Sequence, residues 1–390
     1  MLAERVQAGG NLLERLGKGL VEFGVRRLGR AAQRIARALP GGARGMTDVV
    51  GGNPHGVLGI GVRVADPAQL IQKIRAALVP CRLGDWPTPL ERAAALGRHV
   101  GLADLTLKRE DRSSARYGGN KVRGLEFLLA GAPPGTVFVT VGGTGSSHCL
   151  ATAVHARAVG GRAVLAQFPQ PDTPTSRAVA AACQAHAALV VRARARGSLP
   201  LAVLDAWRRA GALGHRRWIP GGGAHPRAVV GHLVAGLELA SQVAVPPDAI
   251  VLPLGTGGTA AGLALAVTAL GWPTRVVGIR VAPSFVANSW RTMRLANRAR
   301  RLLARHDIRI AQPASRNPLV VLDGMGKGYG HPTAEGETAA GLASHHGLTL
   351  DPTYGAKAFA FLLNRGTSNV QRVVFWHTFA VPVPRAELVP

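Results

Sequence analysis

Short apolar segments alternate with helical stretches along most of this 390-residue chain, and no other feature narrows the fold as far. Candidate strands lie at 105–108, 137–141, 163–167, 189–191, 250–254, 276–279 and 373–376. Candidate helices lie between them, among others at 121–130, 147–159, 226–242 and 260–270. Strands that alternate with helices pair in parallel and are covered by helices on both faces, which predicts an α/β protein. Two glycine-rich strand-to-helix turns follow Val141 and Leu254, far apart in sequence. Two parallel sheets, each in a three-layer domain and facing a shared cleft, would bring both turns to one site.

Bulk properties exclude several alternatives. The length and 47% hydrophobic content suit one large or two modest cores. The formal net charge of +26 favours loose contact with polyanions, but aromatic residues are only 5% and no base-stacking surface is visible, so no dedicated nucleic-acid ligand is expected. Cys81, Cys149 and Cys183 are too few and too scattered for a disulfide framework or a zinc knuckle, which fits a reducing, cytoplasmic setting. No apolar run is long enough for a transmembrane helix, and the start lacks a secretory pattern. Residues 1–45 form a basic amphipathic segment: Leu13, Leu16, Leu20, Leu28, Ile35 and Leu39 recur at helical spacing among Arg26, Arg27, Arg30, Arg34 and Arg37. It suits peripheral contact with a membrane, a targeting signal or packing on the body, or it is an extension ahead of Met46. The alternating body begins near residue 80.

The second turn reads Gly255-Thr256-Gly257-Gly258-Thr259-Ala260-Ala261-Gly262 and opens a helix. Glycines admit an anion close to the backbone, and the free amides and dipole of the helix start attract it. The spacing also satisfies a dinucleotide pattern, which needs an acid about 20 residues on to hold a ribose. No Asp or Glu occurs from Ile250 through His306, so a phosphate monoester fits better than a dinucleotide, and a turn that binds nothing is the bland alternative. The first turn, Gly142-Gly143-Thr144-Gly145-Ser146-Ser147-His148, suits a carboxylate, although Ser146 and Ser147 are equally placed as helix caps. No metal pattern or serine-nucleophile elbow is present, and His345-His346 reads as solvated.

Lys121, at the start of a helix after Tyr117-Gly118-Gly119-Asn120, is unusual because the positive end of the dipole opposes its charge. A buried lysine there would lose its proton readily and serve as a Schiff-base amine; an exposed one would be an ordinary solvated side chain.

Five blocks in order carry a resemblance: Pro87-Thr88-Pro89-Leu90; Gly118-Gly119-Asn120-Lys121 with Arg123 and Glu126; the turn from Gly142 to His148; the turn from Gly255 to Gly262; and a tail with Gly328-Tyr329-Gly330, Leu350-Asp351-Pro352-Thr353-Tyr354 and His377-Thr378. With them the chain resembles the pyridoxal-phosphate-dependent group of D-cysteine desulfhydrases and 1-aminocyclopropane-1-carboxylate deaminases, of the tryptophan-synthase β-subunit-like fold (fold type II). The resemblance implies a homodimeric enzyme with a larger cofactor-binding domain (80–121 plus 233–390), a smaller domain (122–232) and a lead-in (1–79). It implies that Lys121 holds pyridoxal 5′-phosphate and shuttles the α-proton, with Asn120 near the ring. Gly255, Thr256, Gly257, Gly258 and Thr259 would grip the phosphate. Ser146 would meet the substrate carboxylate or assist proton transfer, Tyr329 and Tyr354 would face the substrate, and Thr378 would bond the pyridine nitrogen.

Gly355 stands where the deaminases carry a glutamate, and with Thr378 this favours the desulfhydrase-like branch: elimination from a small amino acid to a keto acid and ammonia. Ring-opening deamination, and a binding protein that has lost catalysis, are the alternatives. The departures are Gly145 for Gln, Ser147 for the Asn that meets the cofactor's phenolic oxygen, and Phe379-Ala380 for two glycines.

Overall fold

The computed structural model describes residues 66–311, 317–363 and 370–379, so the amphipathic segment at 1–45 lies outside the described residues. The elements run α1 (Pro67–Leu78), β1 (Leu90–Arg92), α2 (Ala94–His99), β2 (Asp104–Arg109), α3 (Lys121–Leu129), β3 (Val137–Gly143), α4 (Ser147–Ala158), β4 (Arg162–Phe168), α5 (Pro174–His186) and β5 (Leu189–Arg192). They continue with α6 (Leu199–Leu213), β6 (Arg216–Trp218), α7 (Pro226–Ala240), β7 (Ala249–Leu254), α8 (Gly258–Ala269), β8 (Arg275–Arg280), α9 (Ser289–Ala304), β9 (Leu319–Asp323), α10 (Ala334–His345), α11 (Gly355–Leu363) and β10 (Arg372–His377).

Two sheets form, as expected for an α/β chain. One has the order β1-β2-β10-β7-β8-β9 and is parallel except where β1 pairs with β2; the other has the order β5-β4-β3-β6 and is parallel throughout. All seven strands read from the sequence are present, each longer by one or two residues. The helix expected at 260–270 begins two residues earlier, at Gly258, so the glycine-rich turn supplies its first residues. The body also begins earlier than residue 80: α1, capped by Asp66, buries Ile74 and Leu78 against Phe127 and Val230.

Helices α7 and α8 are apolar on nearly every side and are buried accordingly. Helix α3 packs on α7 so tightly that a Cβ on Gly231 would fall 2.0 Å from the carbonyl oxygen of Arg123, an approach only glycine allows.

That approach brings four charges together in the interior. Arg123 donates to Glu110 at 2.9 and 3.1 Å and to Glu238 at 2.7 and 2.9 Å, and its guanidinium lies 3.7 Å over the Trp86 ring. Lys108 pairs with the same Glu238 and donates to Gln242 and to the Thr88 carbonyl. Burial raises the Glu238 carboxyl's pKa, but its bonds to Arg123 and the charges of Arg123 and Lys108 outweigh that and hold it below the usual range. Two cations thus face two carboxylates in a nearly dry space that joins the segment before β1 to β2, α3 and α7. Glu238→Ala leaves Arg123 and Lys108 sharing one carboxylate, and removing one partner of a buried pair costs roughly 3–5 kcal/mol. A urea-unfolding midpoint unchanged from the parent chain would contradict this.

Candidate active site

Lys121 opens α3 immediately after Asn120, whose backbone N–H donates to the Thr378 carbonyl at 2.9 Å. The Asn120 amide crosses to the glycine-rich turn and donates to Thr259 Oγ1 at 2.8 Å. These two bonds tie the lysine to the ends of β10 and β7, and a cavity forms where the three meet. It is lined by Asn120, Lys121, Ser147, residues 253–260, Tyr354, Thr378 and Phe379.

Among the described residues Lys121 Nζ meets no carboxylate, and burial lowers its pKa to about 8. Lys108, also buried, is held instead by Glu238, and Lys357 is bonded to the carbonyls of Met325 and Gly328, so neither competes with Lys121 as a free amine in this cavity. Two buried histidines stand near it. His148 is pushed down to about 3 and His232 well below its ordinary value, in each case by burial first and by the charge of Lys121 second. Both are therefore neutral at physiological pH. His232 approaches Thr259 Oγ1 at 3.5 Å and neither histidine's Nδ1 has a partner.

The glycine-rich turn is shaped for an anion. Gly257 caps α8 in the left-handed region at φ +86°, and no side chain caps that helix. Its first amides and its positive dipole end therefore face the cavity, where no acidic side chain is present. A Cβ built on Gly255 meets nothing nearer than Tyr354 Cε1 at 3.9 Å, so the backbone leaves room there for a bound group. The lysine, the uncapped helix start and the open glycine backbone together fit pyridoxal 5′-phosphate: residues 255–259 would hold its phosphate and Lys121 its aldehyde, with Asn120 and Thr378 beside the ring.

A family model described as pyridoxal-phosphate dependent enzyme matches residues 81–378. This chain belongs to that family. It is 36% identical over 289 residues to a nocardicin C-9′ epimerase of Nocardia uniformis subsp. tsuyamanensis, covering 70% of this chain and 85% of the relative. It is 30% identical over 329 residues to a D-cysteine desulfhydrase of Klebsiella pneumoniae strain 342, covering 76% and 92%. A solved structure of an ACC deaminase homologue superposes with a TM-score of 0.67 at 28% identity, covering 80% of this chain and 95% of that one. The chain is thus a pyridoxal-phosphate-dependent enzyme of the two-sheet, fold type II architecture, and residues 81–378 hold its cofactor-binding body.

The site residues expected from sequence do not all fall in one place. Lys121, Asn120, Ser147, Gly255, Thr256, Gly257, Gly258, Thr259, Tyr354 and Thr378 line one cavity. Ser146 does not; it caps α4, its Oγ accepting from the Cys149 N–H at 3.3 Å. Tyr329 stands behind Tyr354, their hydroxyls 2.6 Å apart, and burial raises both phenols above their usual range, so both keep their protons. Phe379, in place of a glycine, lines the cavity and packs edge-on against Tyr117.

Sequence reasoning missed His232 and Gln170. A Cβ on Gly145 would fall 2.5 Å from Gln170 Nε2, and one on Gly143 would fall 2.2 Å from its Oε1. The amide absent from position 145 is thus replaced from the loop after β4, a substitution between elements that no local pattern signals.

Gly255→Leu is expected to fold with an unchanged urea midpoint yet lose the visible absorbance of the bound cofactor; full cofactor loading would refute the phosphate site. Attachment of pyridoxal phosphate to the cofactor-free protein should rise with pH through about 8, because the neutral amine is the nucleophile and the Lys121 pKa lies there. A midpoint near that of an ordinary lysine, followed by stopped-flow absorbance, would show the amine to be unperturbed.

Proposed function

We propose that this enzyme removes the α-proton and a β-substituent from an amino acid, releasing a keto acid and ammonia. The observation that carries the reading is the Lys121 amine, lowered by burial to a pKa of about 8 and meeting no carboxylate among the described residues, set in one cavity with the glycine-rich turn and Thr378. Bound pyridoxal phosphate would supply an electron sink for the carbanion formed at Cα. Lys121 would hold the cofactor and, once freed by the substrate amine, take the α-proton. Thr378 would meet the ring nitrogen, and a hydroxyl there would keep that nitrogen protonated less firmly than a carboxylate would, which suits prompt loss of a leaving group. Ser147 would meet the cofactor's phenolic oxygen in place of asparagine. Ser146 would meet the substrate carboxylate or assist proton transfer through the turn it caps, and Tyr354, backed by Tyr329, would present a proton donor to the substrate.

Two resemblances support this choice of chemistry: the relative named D-cysteine desulfhydrase, and the absence of an acid at Gly355. A second reading, inversion at Cα, is favoured by the relative named as an epimerase and by the Tyr354 hydroxyl, a second proton carrier in the cavity with Lys121. Both readings share proton abstraction by Lys121 and part only at whether a proton returns or the β-group leaves. We also infer a homodimer and a cytoplasmic setting, supported by the fold family and by three free thiols, two of them buried. The division into a larger domain (80–121 plus 233–390) and a smaller one (122–232) belongs to the same reading, with Lys121 at the boundary.

Purified protein incubated with D- and L-cysteine and β-chloroalanine is expected to release pyruvate and ammonia, and Lys121→Ala to abolish both release and cofactor absorbance. Inversion without keto acid, seen by chiral chromatography, would replace elimination with the second reading. Turnover retained in Lys121→Ala would remove both.

A further inference from the structure

The strands β3, β4 and β5 are parallel and in register, with Gly143 beside Phe168 and Gln167 beside Arg192. Their C-terminal ends therefore lie along one edge, the edge at which parallel sheets present ligand sites. The loop from β3 is the turn that carries Ser146 and Ser147. The loops from β4 and β5 carry Gln170 and Arg196, which do not line the cavity around Lys121.

Arg196 is exposed and tethered. Its guanidinium lies 5.9 Å over the Phe168 ring and its Nε donates to the Pro169 carbonyl at 3.5 Å. It has no carboxylate partner among the described residues, and no Asp or Glu occurs between Asp172 and Asp205, while Arg192 and Arg194 add charge of the same sign. A line of rings leads from it to the cofactor cavity. Phe168 lies 6.2 Å from Tyr329, whose ring lies 6.1 Å from that of Tyr354. Burial raises the Tyr329 phenol, and the charge of Arg196 is among the groups that pull it back. Gln170 fills the gap between the β3 turn and the Tyr329 loop: a Cβ on Gly330 would lie 3.7 Å from Gln170 Cβ. Its Oε1 is buried without a donor, an arrangement that proteins seldom leave unsatisfied away from ligand sites.

We propose that this edge is a subsite for the far end of the substrate. The enzyme takes an amino acid whose side chain ends in an anionic group, and Arg196 is the specificity-determining residue that pairs with it, at the rim beyond Phe168 and Tyr329. The proposal rests on the elimination reading for the identity of the ligand as an amino acid, and it adds the chemistry of the side chain. A neutral substrate as small as cysteine would leave Arg196 and Gln170 unengaged.

The test uses the holoenzyme and two compounds that differ in charge and little else, S-carboxymethylcysteine and S-carbamoylmethylcysteine, each as D and L forms. Affinity is read from the change in absorbance of the bound cofactor, and kcat/KM from keto-acid release. The parent enzyme is expected to prefer the carboxymethyl compound. Arg196→Gln should weaken that compound about tenfold, as for loss of one charge-assisted contact, and leave the carbamoyl compound within about twofold. Equal effects on both compounds, or none on either, would overturn the subsite while the elimination reading stands. If no amino acid moves the absorbance of the parent enzyme, the elimination reading itself fails and the subsite falls with it.

Discussion

The buried group of Arg123, Glu110, Glu238 and Lys108 is the constraint from which the rest of the structure follows. Taking four charges out of water is costly, and the cost is met only because each charge finds an opposite one with near-ideal geometry. Such an arrangement tolerates little displacement, and Arg123 belongs to the first turn of α3, beside Lys121. Fixing the guanidinium between Glu110 and Glu238 therefore fixes where the helix begins. The close approach of α3 to α7 at Gly231 serves the same end, since a side chain there would push Arg123 away from Glu238.

From that anchor the electrostatics of the cavity can be understood. Lysines 108 and 121 are of one kind and differ only in company. Lys108 is neutralised by Glu238 and donates to Gln242, which makes it part of the frame. Lys121 emerges on the other side of the anchor, where no carboxylate waits, and burial alone sets its affinity for a proton. His148 and His232, kept neutral by the same burial, add no competing cation. The amide of Asn120 then links the lysine to Thr259, so that amine and anion site share one rigid connection. An enzyme that must hold an aldehyde and a phosphate at once needs that spacing fixed before the cofactor arrives.

The two sheets divide the remaining work. The six-stranded sheet brings the ends of β7 and β10, and with them the glycine-rich turn and Thr378, to the cavity beside Lys121. The four-stranded sheet brings the ends of β3, β4 and β5 to the other side, where the serine turn, Gln170 and Arg196 lie.

Composition and periodicity were enough for the α/β class, for seven of the ten strands among the described residues and for both glycine-rich turns, because these are local: each depends on neighbours within a few residues; Lys121 was marked only by its place at a helix start and took its role from the family resemblance. Three strands were not legible. β1 (Leu-Glu-Arg) and β6 (Arg-Arg-Trp) are short and polar, and β9 is a brief apolar run that periodicity does not separate from a helix. The exclusion of a dinucleotide also needed only sequence, since a missing acid after β7 is a local fact. Tertiary structure alone decided that Ser146 spends its hydroxyl as a cap, that Tyr329 reaches the cavity only through Tyr354, and that Gln170 occupies the space vacated at Gly145. It also decided that Lys108 is paired with Glu238 while Lys121 meets no carboxylate among the described residues. Each of these depends on residues brought together from separate elements, and the packing that joins them has no counterpart in the order of the chain.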